Sequence, residues 1–179
     1  CFQYREDANR FRQALEGRLA KFSLQLEPNK TRLVKFGRFS SKGTESETIY
    51  FLGFTHFCTV SRNGKFMVGR KTEKSRLKRS IKKITAKMKE NQHWSIKEQI
   101  DKINEILRGH YNYYGMGGNL KSLQKVYRIV ERYWWKLLCG RSWRGYIRWN
   151  KFVEILKDFP ILRPKIHIPL GKMKQYAML

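Results

Sequence analysis

Apolar residues first recur at helical spacing at Phe11, Leu15, Leu19 and Phe22, which predicts a helix with one buried stripe, stopped by Pro28. A turn at Glu27-Pro28-Asn29-Lys30 leads into residues 32–36 and then a polar Gly/Ser/Thr loop over 37–48. Residues 49–60 form a strand-like run. Asn63-Gly64 follows, between 54–60 and 65–68, and predicts a tight hairpin because that pair supplies positive φ. From Thr72 the period becomes helical, with Leu77, Ile81, Ile84 and Met88 on one stripe. Ser95 with Glu98 three residues on is a capping-box signature, opening a helix with Ile96, Ile100, Ile103 and Leu107 on one face. Gly115 to Gly118 break it. Asn119 is placed to cap a third helix, in which Leu120, Leu123, Val126, Val130, Trp134 and Leu137 keep helical spacing as far as Gly140. A shorter fourth helix is expected over 149–159, ended by Pro160, and the last twenty residues, with Pro164 and Pro169, read as an extended tail. A helix and short antiparallel strands followed by a helical bundle make an α+β chain.

Charge changes this picture from a plain fold to a fold with a partner. Lys and Arg number 39 against 14 Asp and Glu, a net +25 that repels itself unless a polyanion neutralises it. At 41% apolar and 14% aromatic, the chain is too rich in core-forming residues for a disordered basic tail. The net charge is +4 over residues 1–60, +10 over 61–120 and +11 over 121–179, so the basic character sets in near Arg62. No stretch has the roughly 18 consecutive apolar residues of a membrane span, and no basic-then-apolar leader opens the chain. Cys1, Cys58 and Cys139 are far apart and form no Cys-x-x-Cys pair, which argues against a disulfide frame or zinc ribbon and fits a reducing, cytoplasmic setting. The opening in mid-pattern, on Cys, suggests a fragment.

Residues 62–89 hold 12 basic residues and 1 acidic one, enough for a large salt-dependent affinity for RNA or DNA. Next come Tyr111, Tyr113, Tyr114, Tyr127, Tyr133, Trp134, Trp135, Trp143, Tyr146 and Trp149, interleaved with Arg108, Arg128, Arg132, Arg141, Arg144 and Arg148. Rings and guanidinium groups both stack on unpaired bases. Tyr111, Tyr114, Tyr127 and Trp134 lie near the apolar stripes and read as core before they read as base contacts. Adjacent Trp134 and Trp135 cannot face the same way on a helix, so one of them is left to cover something else. Converging carboxylates for metal-assisted phosphoryl transfer are missing, and His56, His93, His110 and His167 have no metal-ligand spacing. The residues themselves describe a chain that binds.

Three blocks in order resemble the group II intron reverse transcriptase and maturase family, from the end of the palm through the thumb. They are Phe22-Ser23-Leu24-Gln25-Leu26-Glu27-Pro28-Asn29-Lys30-Thr31-Arg32, Ile49-Tyr50-Phe51-Leu52-Gly53-Phe54-Thr55-His56, and Leu107-Arg108-Gly109-His110-Tyr111-Asn112-Tyr113-Tyr114-Gly115. The resemblance implies a palm remnant over 1–70, a helical thumb or maturase domain over 71–165 and an extended tail over 166–179. It also implies that the family's metal-holding Tyr-Ala-Asp-Asp hairpin precedes a stretch like residues 1–9. Magnesium is then expected for the intact RNA-directed DNA polymerase, no cofactor for this chain, and no polymerisation by this chain alone.

By the same resemblance Lys30 approaches the incoming nucleotide's phosphates. Phe51, Leu52, Gly53 and Phe54 form a primer grip, with Gly53 letting backbone approach nucleic acid and its apolar neighbours equally readable as strand core. Lys71, Lys74, Lys78, Arg79, Lys82 and Lys83 are expected to meet phosphates, and Arg108, His110, Tyr111, Asn112 and Tyr113 to contact RNA. The implied partners are intron RNA, the template-primer duplex and the missing fingers-palm part, with no membrane. The alternative is a basic RNA- or DNA-binding module with no catalytic parent.

Overall fold

A computed structural model describes residues 1–38, 47–61, 63–142 and 145–172. Arg62, Trp143, Arg144 and the end of the tail, 173–179, lie outside them, as does 39–46 of the polar loop. The chain divides into two compact units, Cys1–Thr48 and Ile49–Leu179.

In the first unit, α1 spans Arg5–Ala20, so the helix ends well before Pro28. Ser23 adopts a left-handed φ of 56°, and the amides of Phe22 and Leu24 turn back to the Leu19 carbonyl, closing the helix end locally. Its stripe is less buried than the spacing predicts. Phe11 and Phe22 are exposed, Leu15 and Leu19 half-buried, and Ala8 is the buried residue of α1. The Glu27–Lys30 turn forms as expected, with the Lys30 and Thr31 amides donating to the Glu27 carbonyl.

In the second unit, β1 (Ile49–Phe51), β2 (Phe54–Val60) and β3 (Phe66–Thr72) make an antiparallel meander in that order. The run read as one strand over 49–60 is therefore two. Phe51 pairs with Phe54, and between them Leu52 and Gly53 take φ of 48° and 77°, the two positive angles of a type I′ connection. Leucine is no turn signal, and holding it left-handed costs about 1–2 kcal/mol. The Asn63-Gly64 hairpin is present with a different loop. Gly64 has positive φ, the Gly64 amide donates to the Ser61 carbonyl, and the Ser61 amide donates to the Lys65 carbonyl. That pattern gives a three-residue loop with a bulge.

Four helices follow: α2 (Lys74–Glu90), α3 (Ile96–Tyr114), α4 (Leu120–Cys139) and α5 (Trp149–Asp158). The α3 start carries the reciprocal capping box, the Glu98 amide donating to Ser95 Oγ and the Ser95 amide to Glu98 Oε2. The Ser95 hydroxyl, donating to Glu98 Oε2 at 2.6 Å, and then the Ser95 amide hold the Glu98 carboxyl below its usual pKa. The core joins Ile84 and Met88 of α2, Ile100, Ile103 and Leu107 of α3, the α4 stripe, Phe152 of α5 and Ile161 beyond it. On α4 the buried stripe runs Leu123, Val126, Val130, Trp134, Leu138, so Leu138 replaces the expected Leu137, and Leu120 is exposed. A helix holding 3.6 residues per turn reaches position 138 from 134 in one i+4 step.

Asn119 also departs from expectation. Its side chain makes no cap bond to α4. It is buried, with Oδ1 accepting from the Thr72 amide at 2.7 Å while Nδ2 donates to Thr72 Oγ1 and to the Tyr114 carbonyl. One amide group thus ties the end of β3 to the end of α3, satisfying polar groups that burial would otherwise strand. The segment after α5 is extended and anchored as far as Pro169, and residues 170–172 are helical, where the whole tail was expected to be extended. The Leu162 amide donates to Asn104 Oδ1, and the His167 and Ile168 amides both donate to the Gly115 carbonyl. No helix among the described residues is long and apolar enough to cross a membrane.

Candidate nucleic-acid interface

Helix α2 is the most cationic element described. Its apolar stripe turns Ile84 and Met88 into the core, leaving the rest of its circumference to cations. Lys74, Lys78, Arg79, Lys82 and Lys83 are all exposed, and none has a carboxylate partner among the described residues. The α2 cations that do have one are Arg76, 3.9 Å from Glu73, and Lys87, 2.6 Å from Glu90, and both pairs are exposed enough to be worth little. Lys71, at the end of β3, is exposed too, with its ammonium 5.2 Å from the centre of the Phe57 ring. All six residues chosen for phosphate contacts therefore face solvent from the β3–α2 segment.

The β1–β2 turn, the start of α2 and the end of α3 converge. The Gly53 carbonyl accepts from the Glu73 amide at 2.9 Å, and the Leu52 carbonyl accepts from the Tyr113 hydroxyl at 3.0 Å. A side chain on Gly53 would lie 3.3 Å from the Tyr114 hydroxyl and 3.9 Å from Arg76 Cγ. Glycine is needed here by its left-handed φ and by this approach to Tyr114. Phe51 and Leu52 are 61% and 65% exposed, so the tip of the turn is open to a ligand. Phe54 is buried, its ring 5.4 Å from Tyr114 and 6.2 Å from Tyr113, and is core rather than a contact residue.

The block over 107–115 divides by face. Arg108, Asn112 and Tyr113 are exposed. Tyr111 is 1% exposed and belongs to the core, so as an RNA contact it is corrected: its ring could reach a base only by unpacking the bundle. Its hydroxyl is covered without a hydrogen-bond partner among the described residues, and burial pushes its pKa far up. His110 lies between these extremes, its ring 4.8 Å from Tyr114 and its Nε2 covered and unpartnered among the described residues. Burial lowers its pKa from 6.5 to about 4.

The His110 shift has a sign that can be measured. The unfolded imidazole binds a proton near pH 6.5 and the folded one only near 4, so stability is full above 6.5 and is lost as pH falls between the two values. Denaturant unfolding should show a loss of about 3 kcal/mol across that window relative to the His110→Gln variant, in which this contribution is absent. Parallel pH profiles for the two proteins would refute it.

Lys30 is exposed on the first unit, apart from the elements above in sequence and unit. Among the described residues, no three His, Cys, Asp or Glu side chains gather to hold a metal ion. Sequence reasoning missed Gln99, buried on α3. Its Nε2 donates to the Asn91 and Gln92 carbonyls, and its Oε1 accepts from Trp134 Nε1 at 2.9 Å. A polar residue on the α3 face next to Ile100 and Ile103 gave no sign of such a partner.

A search of curated proteins gives no match, and neither does a search of solved structures. A scan against family models matches residues 74–153, from the first residue of α2 into α5, to the description "Group II intron, maturase-specific domain". The matched segment contains the cationic helix, the motif at the end of α3 and the Trp134-Trp135 pair. Over residues 74–153 the chain is thus similar to the maturase-specific domain of group II introns, and that match supports its being the C-terminal part of a group II intron maturase.

Proposed function

We propose that this chain is the RNA-binding part of a group II intron reverse transcriptase and maturase, assisting intron splicing by neutralising phosphates where RNA helices pack together. The observation that carries the reading is the face of α2, where five exposed cations without carboxylate partners among the described residues stand inside the segment matched to the maturase-specific domain. Each phosphate such a cation meets releases condensed counterions, so binding is driven by salt-sensitive entropy and needs no reactive group from the protein. Splicing chemistry would then belong to the RNA. The exposed turn at Phe51 and Leu52, held by Tyr113 and next to Arg76, suits a second task in which the chain grips a template-primer duplex. That task, a role for Lys30 near nucleotide phosphates, a fingers-palm partner, magnesium at that partner's aspartates and a cytoplasmic setting all belong to the proposal.

A salt titration tests it. With about six phosphates neutralised, the logarithm of the affinity for structured group II intron RNA should fall against the logarithm of salt with a slope of about −5. Intron RNA should also bind more tightly than random RNA of equal length. A flat salt response would remove the phosphate-binding claim, and equal affinity for the two RNAs would reduce the chain to a general basic binding module.

A further inference from the structure

Trp134 and Trp135 leave α4 about 100° apart, Trp134 into the core and Trp135 half-buried at the edge of that core. Trp135 forms the floor of an open hollow of about 550 Å³ with Arg132, Lys136, Cys139, Tyr146 and Trp149. That volume falls within the roughly 300–1,000 Å³ of small-ligand sites. Trp135 is fixed there by its Nε1, which donates to the Ile147 carbonyl at 2.8 Å. Trp149 and Tyr146 meet it edge to face, with centroids at 5.5 and 6.3 Å and interplanar angles of 82° and 70°. Edge-to-face contacts of this kind are favourable and hold the three rings in place. Tyr146 stays 71% exposed and Trp149 42%, an unusual amount of aromatic surface to leave in water.

The rim decides what the hollow suits. Among the described residues its charged ones are Arg132 and Lys136, both exposed cations one helical turn apart on α4, with no carboxylate in the lining. An apolar peptide or lipid tail would gain nothing from that rim. A flat π-system carrying a phosphate on either side would use both parts, stacking on a ring while each cation meets a phosphate.

We propose that the Trp135–Tyr146–Trp149 hollow receives one unpaired base of an RNA strand, with Arg132 and Lys136 holding its flanking phosphates. This rests on the RNA-binding reading above and adds to it a site for a bulged or loop nucleotide. The α2 face, by contrast, meets backbone phosphate alone.

The test compares an RNA duplex with the same duplex carrying a single-nucleotide bulge, read by anisotropy of a labelled strand with the full chain. Base–aromatic stacking is worth about 1–3 kcal/mol per base, so the bulged duplex should bind about 5- to 150-fold more tightly. Tyr146→Ala removes an exposed ring and should abolish most of that preference while leaving the plain duplex unaffected, and Tyr146→Phe should retain it. An equal preference in the parent and Tyr146→Ala, no preference in the parent, or concentration-dependent self-association lost in Tyr146→Ala would each overturn the proposal. No binding of either RNA by the parent would instead remove the RNA-binding reading itself, and the base site with it.

Discussion

Replacing Lys74, Lys78, Arg79, Lys82 and Lys83 together by glutamine should lower affinity for intron RNA in 0.1 M salt by on the order of ten-thousand-fold. The estimate follows from counterion release: each lost phosphate contact removes about 0.9 from the salt slope, so five flatten it by about 4 to 5. Measured affinities across a salt series would give both quantities at once. The variant should fold like its parent, because all five side chains are exposed and the core contacts of α2 run through Ile84 and Met88. A variant that melts normally and still binds with the parent's slope would show that α2 is only a solvated face. Single substitutions should act evenly, each weakening all RNAs alike, since phosphate contacts carry no sequence information.

The largest stability effect is expected inside the bundle, at Trp134. Its ring is fully buried, packs edge-on to Phe152 at 5.6 Å and donates from Nε1 to Gln99. Truncation to alanine removes that contact area and leaves a cavity, a change that costs about 3–5 kcal/mol. Trp134→Phe keeps most of the packing but strands Gln99 Oε1 inside the protein, for about 1–3 kcal/mol. Gln99 also holds the α2–α3 connection through the Asn91 and Gln92 carbonyls, so the loss should spread to that loop. Thermal and denaturant unfolding would rank the variants as parent, phenylalanine, alanine. An alanine variant melting within a degree or two of the parent would mean that Trp134 does not hold the helices together.

Much of this was legible residue by residue. The four C-terminal helices follow from the 3.6-residue period, the α3 start from Ser95 and Glu98, and the exposed cationic face of α2 from the density of cations over 62–89. The order of the three family-like blocks pointed to a maturase, and the match over 74–153 agrees. All of these signals are local, because a helical period or a cap is settled by backbone within about four residues. The turn at Leu52-Gly53 left almost no local trace. A left-handed leucine is unfavourable in isolation and persists where Tyr113, 61 residues further on, holds its carbonyl.

The sequence by itself determined the helices and the balance of charge. Tertiary structure decided which side of each element is used. It placed Tyr111 in the core and Tyr113 at the surface, and turned Asn119 from a helix cap into a tie to Thr72, 47 residues away. It also gave Trp134 to the core and Trp135 to an open hollow. The physical reason is that periodicity fixes where side chains point relative to their own helix. Whether a given direction meets water, a ring or an unpaired amide is set by elements that become neighbours only when the chain has folded.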